Sequence, residues 1–340
     1  MTSQAGWLWA LGWLFAGFFV LEGFDFGLAL AMPFLGRSGV QRRLVINAMG
    51  PFFLGNEVWL VGTVGVLAGA MPVLDDDLLT GLYPLIVAIL VCWVVRDAGI
   101  WFRSRRDGRG WRLGWDGAIV AGSALLAALW GVVVADLMQG LAMSAPGQVA
   151  AGPASLLDPF SVVSGLAFAA ICLVHGTVFT ALRCPGTLRE RAVRLTRWAL
   201  PLAVALLALA VAAGALTRQV RVSVGHPAIV LVLAVVLALL LVVAALLAAR
   251  GRTGWAFTAT ALAMAIPVAM LAAAADPYAL VWATTARSGL TPARIIAGTP
   301  TLSLLSYTLL PFFPLILLYQ AWSWWTFGAP YNRARRTVFF

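Results

Sequence analysis

Lysine is absent from this chain of 340 residues; all 23 basic residues are arginines, a pattern that follows coding bias and carries no functional meaning. Charge of any sign is scarce, at 11% of residues, where a soluble domain carries about 25%. A soluble fold is thereby excluded. The net charge of +10 does not imply nucleic acid, because the arginines cluster in short loops and topology explains them better. Only three cysteines occur, Cys92, Cys172 and Cys184, with no CxxC or CxxCH spacing, which excludes a redox dithiol and attached c-type haem. Only two histidines occur, His175 and His226. No HExxH, zinc pattern, phosphate loop or nucleophile triad is present. The first apolar run lacks a basic leader and a small-residue cleavage site, so it is expected to be a retained helix.

What the chain does have is apolar length: 62% hydrophobic residues and a mean hydropathy of +0.95. A membrane span needs about 20 apolar residues. Nine windows qualify, at 7–31, 51–71, 79–102, 117–140, 160–182, 199–216, 227–249, 255–275 and 302–326. The expected fold is an all-α polytopic membrane protein, a single domain over 1–340 with no internal repeat. The first, third, fifth and seventh loops plus the C-terminal tail hold 18 arginines, and the opposite side holds 4. The positive-inside rule then sets the N-terminus outside and the C-terminus in the cytoplasm. Asp75, Asp76, Asp77 and Asp158 fall outside, and Trp322, Trp324 and Trp325 close the last helix as an aromatic belt would.

Against this background FVLEGFDFGLAL at 19–30 is costly. An acid at mid-bilayer costs about 2.5–3.5 kcal/mol on insertion scales. Glu22 and Asp25 stand at i and i+3, on one helix face. At 1.5 Å per residue, Asp25 lies roughly 12 Å and Glu22 roughly 16 Å from the cytoplasmic helix end. Glu57, with Asn56 beside it, lies roughly 9 Å in, as do Arg96 and Asp97, and His175 roughly 10 Å. Six ionisable groups from four helices thus share one depth band in the cytoplasmic half. Intramembrane acids mark proton or ion relays by default; the competing reading is a structural network in which Arg96 pairs with one acid. His226 opens an outer helix, at the opposite depth from His175, so the two cannot share one iron. His175 reads as a hydrogen-bonded interior histidine rather than a haem ligand. Gly23, Gly27, Gly55, Gly62, Gly65 and Gly69 smooth the first two spans for close packing or for a lipid tail or quinone, alternatives that stay open.

EGFDFG at 22–27 resembles the DGFD.G motif of subunit II of cytochrome bd-type quinol oxidases, and RRLVINAMGPFFLGNEVWL at 42–60 resembles that family's RR..IN...P...GN.VWL signature. FRSR at 102–105, WDGAIVAGS at 115–123, LMQG at 137–140, LDPFSVVSGL at 157–166 and LPFFPLILLYQAWSWWTF at 310–327 follow in the family's order. The resemblance implies a haem-free subunit in the bacterial cytoplasmic membrane. Its partner, subunit I, carries haems b and d and oxidises quinol while dioxygen is reduced to water, and small single-helix accessory subunits occur. Membrane potential then forms without pumping, with chemical protons drawn from the cytoplasm. Asp25 matches the second motif aspartate, Glu22 replaces the first with another carboxylate, and Asn56 matches the GN asparagine. Trp59 matches a tryptophan that lies near an oxygen route. The chain departs from the pattern at Phe52 and Leu54, where some members have His and Asp, the Asp being implicated in proton entry. Glu57, three residues on, is the expected substitute. The resemblance also allows a structural quinone or lipid in this subunit. Two other readings stand beside it: a proton-coupled secondary transporter, for which repeats and interrupted helices are missing, and a scaffold without a relay.

Overall fold

The computed structural model describes residues 4–145, 148–150, 157–309 and 311–328. The helices α1 (Gln4–Leu35), α2 (Gly39–Met49), α3 (Phe53–Ala70), α4 (Pro72–Gly81), α5 (Tyr83–Phe102) and α6 (Arg109–Gln139) come first. Two strands, β1 (Leu141–Ala145) and β2 (Gln148–Val149), follow. Then come α7 (Pro159–Arg183), α8 (Thr187–Leu216), α9 (Arg218–Ser223), α10 (Pro227–Ala249) and α11 (Thr253–Ala275). Strands β3 (Leu280–Ala283) and β4 (Ser288–Leu290) lead into α12 (Pro292–Ile295), α13 (Thr299–Leu309) and α14 (Phe312–Phe327). Among the described residues, nine helical segments are long and apolar enough to cross a membrane, α13 and α14 together forming the last.

The nine windows reappear with shifted ends. α6 begins at Arg109 and α8 at Thr187, well before the apolar windows at 117 and 199. Hydropathy finds only the part of a helix that suits lipid; the arginine-bearing first turns continue the same helix into the polar boundary. The last window divides because Pro311, the N-cap of α14, has no N–H to donate to a preceding turn.

α1 is the hub. It touches α3, α6, α7 and α11, and Phe18, Phe19, Phe24 and Phe26 are fully buried along it. It crosses α7 at backbone contact: a Cβ on Gly27 would collide with the Cys172 carbonyl, and one on Gly176 with the Gly27–Leu28 peptide. Small residues let two helices approach this closely. In contrast, α13 and α14 are nearly uncovered in the isolated chain, and α8 and α10 are mostly so.

At one end of the bundle the segment after α6 meets the segment after α11 in a four-stranded sheet, in the order β2-β1-β3-β4. β1 and β3 run parallel, with Leu141 opposite Trp282 and Ala142 opposite Ala283. The strands were not foreseen in the sequence, where the loop over 276–301 shows mainly its prolines. At the other end, Arg42 and Arg103 both bind Asp116, Arg191 donates to the Leu35 carbonyl at 2.8 Å, and Arg189 donates to the Gly251 carbonyl at 3.0 Å. The loops after the first, third, fifth and seventh spans therefore meet on one side, and those after the fourth and eighth on the other, as an alternating nine-span path requires. The C-terminal arginines Arg333, Arg335 and Arg336 lie outside the described residues. Reporter fusions just after Arg109 are expected to read cytoplasmic and fusions near Asp76 external; the reverse pattern would overturn the orientation drawn from the arginine count.

Candidate functional site

The functional candidates gather around one arginine. Arg96 lies on α5 and is 1% exposed. Its guanidinium binds Glu22 of α1 and donates to Glu57 of α3 at 2.7 Å and to its neighbour Asp97 at 2.8 Å. Three helices are thereby tied at one level. The fork geometry of arginine makes this possible, since its separate N–H groups can each face a different carboxylate. Phe26 and Trp93 lie against the guanidinium, with ring centroids 5.4 and 5.6 Å from its carbon, so its apolar surface is also covered.

Asp25 joins the cluster through Asn56. The Asn56 amide donates to Asp25 Oδ2 at 2.8 Å and to the Leu21 carbonyl at 3.3 Å. Its own oxygen accepts from Gln320 Nε2 of α14 at 3.1 Å. Trp93 Nε1 donates to Glu57 at 2.9 Å. Gln320 and Trp93 were missed in the sequence. Both sit among apolar neighbours at ordinary helical spacing, and nothing local marks them as partners of residues on other helices.

The charge balance of the site is unusual. Three carboxylates, Glu22, Glu57 and Asp97, pair with one guanidinium and a fourth, Asp25, is held beside them by Asn56, and Asp25 Oδ1 and Glu22 Oε2 are buried with no hydrogen-bond partner among the described residues. Buried polar atoms nearly always have partners, so these two oxygens are where an exchangeable proton or water has a use. The cluster is sealed at Glu22 and opens at Glu57 and Asp97, whose side chains are 18% and 23% exposed.

His175 is in the depth band but not in the cluster. Its Nδ1 is 2.7 Å from the Thr260 hydroxyl and its Nε2 is 2.9 Å from the Val20 carbonyl, on a different face of α1. A carbonyl only accepts, so Nε2 carries the proton. With both ring nitrogens engaged, His175 does not fit an axial haem ligand, and His226 is paired with Asp276 at 2.9 Å near the sheet. Among the described residues, no group of three His, Cys, Asp or Glu side chains could hold a metal ion. Trp59 stands two residues beyond Glu57, on the other side of α3. Its ring rests on the bare backbone of Gly17 and on Trp13, at 4.8 Å between centroids, and its indole N–H has no partner among the described residues. An apolar cavity of about 450 Å³ lies elsewhere, lined by side chains of α6, α7, α8, α10 and α11 such as Met138, Phe168, Leu207, Val230 and Met270.

Comparison with known proteins follows the same lines. The family described as cytochrome bd terminal oxidase subunit II matches residues 3–327. The cytochrome bd ubiquinol oxidase subunit 2 of Bacillus subtilis is 30% identical over 326 residues, 94% of each chain. The cytochrome bd-I ubiquinol oxidase subunit 2 of Escherichia coli K12 is 25% identical over 94% of this chain and 92% of its own. In fold, the chain is similar to one chain of the bd oxidase structure from Geobacillus thermodenitrificans, with a TM-score of 0.67, 18% identity, and coverage of 95% of this chain and 99% of that one.

Removing one partner from a buried ion cluster costs about 3–5 kcal/mol, because the remaining charge is stranded. Arg96→Leu is therefore expected to lower the thermal stability of the protein sharply. Adding Glu22→Gln and Glu57→Gln to it should restore much of the loss. Thermal unfolding of the assembled protein checks both; no rescue would mean that the guanidinium contributes packing rather than charge.

Proposed function

Because this chain belongs to the cytochrome bd terminal oxidase subunit II family, we propose that it serves as the haem-free partner of a haem-bearing subunit I in a quinol oxidase that reduces dioxygen to water. The family's complex is an oxidoreductase of the bacterial cytoplasmic membrane, and the chain is a multi-pass membrane protein. In this reading the haems b and d reside on subunit I, and this chain supplies a cytoplasm-facing proton path. Asp25 and Glu57 are its working members, Glu22 is a deeper member or a structural acid, Asn56 links Asp25 to α3, and Arg96 with Asp97 holds the acids in place. The observation that carries the proposal is the excess of acids over Arg96, three of them paired with it and a fourth, buried Asp25, held beside them by Asn56, on helices whose sequence carries the family signature.

The direction of the path follows from exposure. Glu57 and Asp97 open on a face of α3 and α5 that also exposes Leu54, Val58, Val61, Val94 and Val95. Polar groups at this depth are costly against lipid, so this face suits the haem subunit, and a path through Glu57 leads to it. Leu54 itself is 53% exposed on that face, which places Glu57 one turn from the position where some relatives carry the entry acid. The apolar cavity of about 450 Å³ suits the tail of a structural quinone or lipid. The uncovered sides of α8 and α10 suit lipid or a single-helix accessory subunit. A static scaffold is the second reading, favoured by the three-way pairing of Arg96, and the two readings differ in what neutral replacements do.

Asp25→Asn and Glu57→Gln keep shape and remove the titrating group. Quinol oxidase turnover is expected to fall at least tenfold in either variant while the haem spectrum of the complex stays intact. Full turnover in the double variant would leave the acids a scaffold. Trp59 is the candidate for an oxygen route, with its ring on Gly17 and its N–H unbonded. Trp59→Ala is expected to change the apparent oxygen affinity with little effect on quinol affinity; the reverse pattern would remove Trp59 from that role.

A further inference from the structure

Two of the singled-out stretches, LMQG and LDPFSVVSGL, play no part in the proton path, yet they meet at the sheet end of the bundle. α6 ends at Gln139, and Gly140 turns the chain at φ 90, a conformation glycine adopts without strain. α7 starts with Asp158 as its N-cap, one oxygen accepting the N–H groups of Phe160 at 2.8 Å and Ser161 at 3.3 Å. The other oxygen accepts from Gln139 Nε2 at 2.6 Å and lies 2.9 Å from the Ser161 hydroxyl. That same hydroxyl also binds Asp136 of α6. One hydroxyl proton therefore serves two carboxylates. Asp136 is 3% exposed, and its Oδ2 has no partner among the described residues. Asp136 and Gln139 line a cavity of about 110 Å³ together with Gly140, Leu141, Ala142 and Gln219, and among the described residues no arginine or histidine lines it.

A buried carboxylate without a cationic partner is costly, and proteins resolve this by protonating it, by pairing it or by binding a metal. We propose that this cavity is a binding site for a hydrated divalent cation of the calcium class, held by Asp136 with Gln139 and bound water. Every side chain offering lone pairs there does so through oxygen, which suits a hard cation and not a transition metal. The lining offers the carboxylate of Asp136 and the carboxamides of Gln139 and Gln219, and calcium tolerates such irregular oxygen shells, completed by water, better than magnesium does. A single water needs about 10–15 Å³ of this kind of volume, so the cavity has room for the ion and several waters. The choice of calcium rests on the outward orientation proposed for this end, where the ion is abundant; the site itself rests only on the geometry.

Terbium(III) reports such sites because it replaces calcium and emits when a nearby tryptophan is excited. Trp282, paired with Leu141 in the sheet, is close enough to serve. With the purified oxidase complex stripped by EDTA, the expected result is saturable terbium emission that calcium displaces, and a thermal midpoint raised by several degrees when calcium is returned. Asp136→Asn should abolish both. Ala142→Leu, which fills the cavity and leaves the carboxylates alone, should also abolish both, and it decides the matter if the first variant fails to assemble. Replacing Asp75, Asp76 and Asp77 together by Asn should leave the displaceable emission in place. Absence of emission, emission that calcium does not displace, or emission unchanged in both cavity variants overturns the proposal. Haem content and quinol turnover of the same preparation test the oxidase reading separately, since terbium emission needs neither.

Discussion

The guanidinium of Arg96 is the constraint on which the rest depends. It sits almost fully buried on α5 and reaches Glu22 of α1, Glu57 of α3 and its own neighbour Asp97. A lone arginine or a lone acid at this position would be among the least favourable groups a membrane span can hold. Together they fix the relative height of three helices, because shifting α1 by one turn, about 5.4 Å, would break the contact. The glycine crossing of α1 with α7 then has a definite register, and the paired ends of α6 and α11 can meet in the sheet.

α1 consequently works as a partition with two faces. Positions 18, 22, 25 and 26 turn toward α3 and α5, where the acids lie. Positions 20, 23, 24 and 27 turn toward α7 and α11, where His175 stacks on Phe257 and Phe24 stacks on Phe179. The shared depth of His175 and the acids suggested one group; the helix separates them. Depth comes from counting residues along each helix, but the azimuth of a residue depends on which neighbours its helix finds. That is why the sequence located Glu22, Asp25, Glu57 and Arg96 together and could not exclude His175.

Much of the fold was legible for a simple reason. Apolar length and arginine placement are read by the bilayer itself, one segment at a time, so α10 over Pro227–Ala249 matches its window residue for residue. The sheet was illegible because its strands are short and because the pairing that joins its two local hairpins brings together residues more than a hundred positions apart, Leu141 with Trp282. Gln320 and Trp93 were illegible for the same cause: an amide or indole in a lipid-facing sequence becomes a site residue only when a distant helix brings an acceptor to it. The Arg96 cluster was the exception, since a buried charge announces its need for a partner before the partner is known.

The departure at Phe52 now has a physical meaning. Phe52 is buried and stacks on Trp324 at 4.8 Å, and both belong to an aromatic block with Phe24, Phe179 and Phe257. This block lies against the same face of α1 as His175 and gives a proton no hydrogen-bonded step there. On the proposed function, proton traffic through Asp25 and Glu57 therefore runs on the α3 and α5 side, where Glu57 is partly exposed and Asn56 of α3 bonds Asp25 of α1. A polar residue at position 52 would open the second side as well. On that reading the chain closes one side with aromatics at Phe52 and places an acid, Glu57, about one turn beyond Leu54 on α3. The sealing by Phe52 and the access at Glu57 both lie, on the same reading, in the N-terminal turns of α3.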